Sequence, residues 1–164
     1  DRHEYHFLLT QLTEEFNHYV MLADIFEHVM GRKITAEDTV QLSEEKKLGD
    51  VRRGYVEDEL TKAAVGFTEG GGARLFREGA KLSGSTVNDM TAHAMEIIYD
   101  DEKDHYAEQA KICVGMIESD DDMTRMKDAI RAISAQRVKM RTEMFPGAMT
   151  DAEIDAFIAD NSRG

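Results

Sequence analysis

An all-α fold is what this sequence predicts, and three observations carry the prediction. Apolar residues recur at spacings of three, four and seven through several long stretches, which is the signature of one face of a helix. The chain of 164 residues holds one proline and no tryptophan, and it is rich in Ala, Leu, Met, Glu, Lys and Arg, a mixture that favours helix over strand. No stretch alternates with period two for long enough to make a half-buried strand. The length is sufficient for one domain, 1–164, with a sizeable core.

The first helix is predicted over Arg2–Met30. Leu8, Leu12, Tyr19, Leu22, Phe26 and Val29 fall on one face, and Gly31 is a C-terminal stop. Residues 31–57 are more polar and read as a crossover connection. Within them Thr35 and Asp38 resemble an N-cap with an acid three residues on, which predicts a short helix over Ala36–Lys47. The next helix spans Asp58–Leu82 and breaks at Ser83–Ser85. It contains the stretch FTEGGGARLF, where Glu69 precedes Gly70, Gly71 and Gly72. Such glycines weaken a helix by about 1 kcal/mol each, so they either line a site where backbone must come close or form a plain loop. A helix over Thr86–Ser119 follows, then one over Met123–Phe145 that Pro146-Gly147 terminates. Thr150 with Glu153 forms a capping box for a final helix, Asp151–Asp160.

The net charge of −13 excludes a basic footprint for nucleic acid, and an anionic membrane surface would repel the chain. Apolar runs such as Tyr19–Ala23 are too short to span a bilayer. The single Cys113 permits no internal disulfide, which points to a reducing cytoplasm. No signal peptide, Cys-x-x-Cys, phosphate loop or nucleophile elbow is present.

Two stretches carry chemistry. Glu14-Glu15-Phe16-Asn17-His18 lies on the first helix and Asp101-Glu102-Lys103-Asp104-His105 on the fourth, and each contains Glu-x-x-His. Residues three apart on a helix share a face, so each pair can reach one metal site. Glu15 shares its face with Leu8, Leu12, Tyr19, Leu22 and Phe26, and Glu102 with Met95, Ile98, His105 and Tyr106. A bare carboxylate among apolar neighbours is costly unless a cation neutralises it. If the turn between the third and fourth long segments centres on Gly84, helix rise places Glu69 near the level of Glu102 and His105.

A Glu on one helix and Glu-x-x-His on another, once in each half, resembles the ligand pattern of ferritin-like di-iron carboxylate proteins. The Asp-Glu-x-x-His form of DEKDH is similar to their oxygen-activating branch, which includes multicomponent monooxygenases, ribonucleotide reductase small subunits and acyl-carrier-protein desaturases. The resemblance implies a ferritin-like four-helix bundle with a crossover connection and extra C-terminal helices. It implies metal ligands at Glu15, His18, Glu69, Glu102 and His105, with Glu14 and Asp101 orienting metal-bound histidines. A sixth ligand would fall on a helix before Asp1, so the first bundle helix is expected to be missing from this chain. The implied cofactor is two iron ions, or manganese or a mixed Mn/Fe pair, and the implied function is activation of O2 to oxidise or hydroxylate a small organic substrate. An electron donor, reductase or ferredoxin, is the implied partner, and a homodimer is compatible with the pattern. Two alternatives stand beside it: iron oxidation or storage as in ferritins and rubrerythrins, and a metal-free helical interaction module in which the Glu-x-x-His pairs are incidental.

Overall fold

The computed structural model describes residues 1–161; within the helices, the side chains of Glu4, Asp104, His105, Tyr106, Asp160 and Asn161 lie outside that description. Among the described residues the chain is mainly helical and contains no strand. In order the elements are α1 (Arg2–Met30), a 3-10 turn (Ala36–Asp38), α2 (Ser43–Arg53), α3 (Glu59–Glu69), a second 3-10 turn (Gly70–Gly72), α4 (Ala73–Gly79), α5 (Thr86–Met116), α6 (Asp120–Met144) and α7 (Asp151–Asn161).

Local chemistry explains most boundaries. Asp1 caps α1 by accepting from the His3 N–H at 3.1 Å. Gly31 closes it in the left-handed region at φ 65°, a conformation that costs a glycine little. Ser119 caps α6 through the Asp122 N–H at 3.1 Å, and three acids in its first turn complement the helix dipole. The Thr150–Glu153 box starts α7, with the Thr150 N–H donating to Glu153 Oε2 at 2.8 Å and the Glu153 N–H donating back at 3.3 Å.

Two expectations need correction. The Thr35–Asp38 capping box forms, but it closes a 3-10 turn of three residues and not the helix Ala36–Lys47. Helix α2 starts only at Ser43, because its N-terminus is satisfied from a distance: Glu143 accepts from the Ser43 N–H at 3.1 Å and the Glu44 N–H at 2.7 Å. The predicted helix Asp58–Leu82 is interrupted at Gly70–Gly72. These glycines have no positive φ; what they provide is space. A Cβ on Gly71 would meet the Arg137 side chain at 3.2 Å, and one on Gly72 would meet the Phe76 ring at 2.7 Å.

The chain divides into two compact units, one comprising Asp1–Thr39 and Gly72–His105, the other residues 40–71 and those described from 106 onward. The second unit is organised around α6, which packs on both α2 and α3. Leu60, Ala64, Cys113, Met126 and Ala129 form one buried cluster, and Leu48, Val65, Ile133 and Met140 form the other. Ala64, Ala129 and Ile133 are wholly inaccessible. The ion pair from Arg125 to Asp58 at 2.6 Å fastens α6 to the N-cap of α3.

In the first unit, α1 turns a stripe of Gln11, Glu14, His18, Met21 and Ile25 inward, with His18 buried and the others half-buried. Among the described residues, Ala94 and Ile98 are the buried positions of α5 in this unit. The opposite face of α1 is apolar and open to solvent. Along it Tyr5, Leu9, Leu12, Phe16, Tyr19, Ala23, Phe26 and Met30 follow each other at alternating spacings of four and three. All but Ala23 and Phe26 are exposed, Leu12 by 67% and Phe16 by 62%.

Candidate metal centre

Helix α1 delivers Glu15 and His18 and helix α5 delivers Asp101 and Glu102, all within the first unit. One ligand atom each from Glu15, His18 and Glu102 can be chosen so that all three lie within 4.8 Å of one another. The i,i+3 spacing on α1 places the Glu15 carboxylate 3.7 Å from His18 Nδ1. The other ring nitrogen, Nε2, lies 2.9 Å from Asp101 Oδ2 on α5.

This geometry constrains the imidazole. A neutral histidine carries one N–H. If that proton sits on Nε2 and is donated to Asp101, the Nδ1 lone pair faces the Glu15 carboxylate with nothing positive between them. His18 is only 7% exposed, whereas the Glu15 side chain is 71% exposed, so Nδ1 faces a carboxylate at the solvent boundary. The donor set of two carboxylates and one imidazole suits first-row divalent metals. Asp101 stands where an acceptor fixes the tautomer and raises the basicity of a ligating nitrogen. The residues present therefore fit a cation.

The sequence-predicted residues divide as follows. Glu15, His18, Asp101 and Glu102 are brought together. Glu14 is half-buried on the inward stripe of α1, one turn before His18. His105 lies on α5 one turn beyond Glu102, and its side chain is outside the described residues. Glu69 belongs to the second unit, where it forms an ion pair with Arg52 of α2. Arg137 lies in the same neighbourhood; burial, then the nearby Arg52 and Arg141 cations, lower its pKa, and Glu69 opposes them.

The surroundings of Glu15 differ from those read in the sequence. Its face, with Leu8, Leu12, Tyr19 and Leu22, is not a covered core face: the Glu15 side chain is 71% exposed and those four are exposed with it. The more apolar stripe of α1 faces outward, and the inner stripe carries Gln11, Glu14 and His18. The Arg52 partner of Glu69 was also missed, and nothing local announces an ion pair 17 residues apart.

Comparison with protein-family models, with curated proteins and with solved structures finds no match. No helix among the described residues is long and apolar enough to cross a membrane.

Proposed function

We propose that this chain is a carboxylate–imidazole metalloprotein of the ferritin-like di-iron type, acting as a non-haem oxidoreductase. The observation that carries the reading is the convergence of Glu15, His18 and Glu102 within 4.8 Å, with Asp101 holding the far side of the His18 ring. Iron, manganese or a mixed pair suits these donors, and such a centre, when bound, supplies the electrons that reduce dioxygen during oxidation of a small organic substrate. The chain's own residues do the rest. Glu15 and Glu102 offer negative charge to balance the cation. His18 offers Nδ1, and Asp101 keeps the proton on Nε2 and the ring in place. Turnover by this chemistry calls for an external electron donor such as a ferredoxin or reductase.

The test is elemental analysis of chelator-washed protein after anaerobic ferrous loading, followed by oxygen uptake. Retained iron that is lost in both Glu102→Ala and His18→Ala supports the site. Equal retention in the variants and the parent overturns it. Iron retention without oxygen consumption favours storage or structural use of the same ligands.

The second reading, a metal-free interaction module, draws on one observation of its own: the continuous exposed apolar face of α1. Absence of tight metal, with that face engaged by another helix, is its signature.

A further inference from the structure

We propose that the outer face of α1 is a self-association seam, along which two copies of this chain pair their first helices antiparallel. The seam is a strict four–three repeat from Tyr5 to Met30, the pattern that lets two helices interdigitate over many turns. It extends about 39 Å at about 1.5 Å rise per residue. Six large apolar side chains of the seam, Tyr5, Leu9, Leu12, Phe16, Tyr19 and Met30, are between 48% and 68% exposed. With on the order of 150–250 Å² of surface for an aromatic side chain, the stripe presents on the order of 700 Å². That exceeds the roughly 300–600 Å² patch of an ordinary monomer and approaches the roughly 800 Å² that each partner gives to a stable interface.

The occupant follows from the register. A two-fold axis between Asn17 and His18 sets Phe16 opposite the partner's Tyr19, Leu12 opposite the partner's Ala23, Leu9 opposite the partner's Phe26, and Tyr5 opposite the partner's Met30. Every seam position is matched and neither helix overhangs. Large residues meet small or flexible ones in the outer layers, which fills space evenly. A parallel pairing would instead stack Ala23 on itself and Phe26 on itself, alternating voids with crowding. The pairing also sets the partner's Leu22 beside the exposed Glu15. The proposal does not depend on a metal, so it stands or falls separately from the proposed function.

The whole chain, metal-free, is examined by sedimentation equilibrium. The expected result is a particle of twice the 18.5 kDa chain mass, reduced to the single-chain mass by Phe16→Lys with unchanged helical circular dichroism. Each copy carries a net charge of −13, so added salt should tighten the dimer by screening; a basic protein partner would be released by salt instead. Oxidising a mixture of Leu9→Cys and Phe26→Cys chains should cross-link them, while neither alone does; Cys113 is buried, so the parent chain is the control. A monomer at every salt concentration, whether α1 amides exchange fast or are protected by another part of the same chain, overturns the proposal. Cross-linking of Leu9→Cys chains to one another overturns the antiparallel register.

Discussion

The Nε2 of His18 and the Oδ2 of Asp101 lie 2.9 Å apart and join α1 to α5 at a buried histidine. The contact sets which ring nitrogen is left for a ligand. Acceptors in this position typically govern metal affinity by 10- to 100-fold. Asp101→Asn should therefore weaken cobalt or ferrous binding by about 10- to 100-fold in a competition titration, while Asp101→Glu recovers part of the loss.

Metal binding should also stabilise the fold. A ligand held by the native state alone adds about 2.7 kcal/mol at a concentration of 100 times its Kd. Thermal melts with and without a divalent metal should show a rise in Tm for the parent chain and none for Glu102→Ala. An equal rise in both would place the metal elsewhere.

Ile133 lies at the centre of α6 with no accessible surface and packs in the cluster with Leu48, Val65 and Met140. Truncation there leaves a cavity between α6 and its neighbours. Ile133→Ala should cost about 2–5 kcal/mol and Ile133→Val about 0.5–1.5 kcal/mol in urea unfolding. A loss below that of Ile133→Val for the alanine variant would show that the second unit collapses around the gap.

Asp38 predicts a pH dependence. The Arg32 guanidinium at 2.7 Å, then the Thr35 N–H and hydroxyl, hold its carboxyl well below the usual carboxylate range. A carboxylate whose pKa is depressed by folding contributes stability above its ordinary pKa of about 4 and loses it as pH falls through the lower native value. Asp38→Asn should lower Tm at neutral pH and flatten the decline of Tm below about pH 4. Parallel profiles of parent and variant would show that the turn is held by other contacts.

Much of the helical layout was legible because punctuation residues act locally. Gly31, Ser119, Pro146-Gly147 and the Thr150–Glu153 pair each end or begin a helix through contacts within a few residues. The start of α2 was not legible, since its cap is the side chain of Glu143, about a hundred positions away. Nor was the inner face of α1. Periodicity identifies an apolar stripe, but the stripe that turns inward here is the one bearing His18, and its contact with Asp101 is decided by tertiary packing. Spacing identified Glu15 with His18 and Glu102 with His105 as pairs on single helices; that the two helices bring Glu15, His18 and Glu102 together was implied only by the resemblance to di-iron carboxylate proteins. The Arg52 partner of Glu69 was invisible, because opposite charges are plentiful on any helical surface.

Cys113 sits in the cluster with Leu60, Ala64, Met126 and Ala129, and its Sγ donates to the Ala63 carbonyl at 3.4 Å. Burial raises the thiol pKa, and only the thiolate attacks disulfides or peroxides at a useful rate. The sulfur is thus shielded both from contact and from ionisation. While the second unit stays folded, the protein should be as durable in an oxidising medium as in a reducing one, so its lone cysteine works as a packing residue and leaves the choice of cellular compartment free.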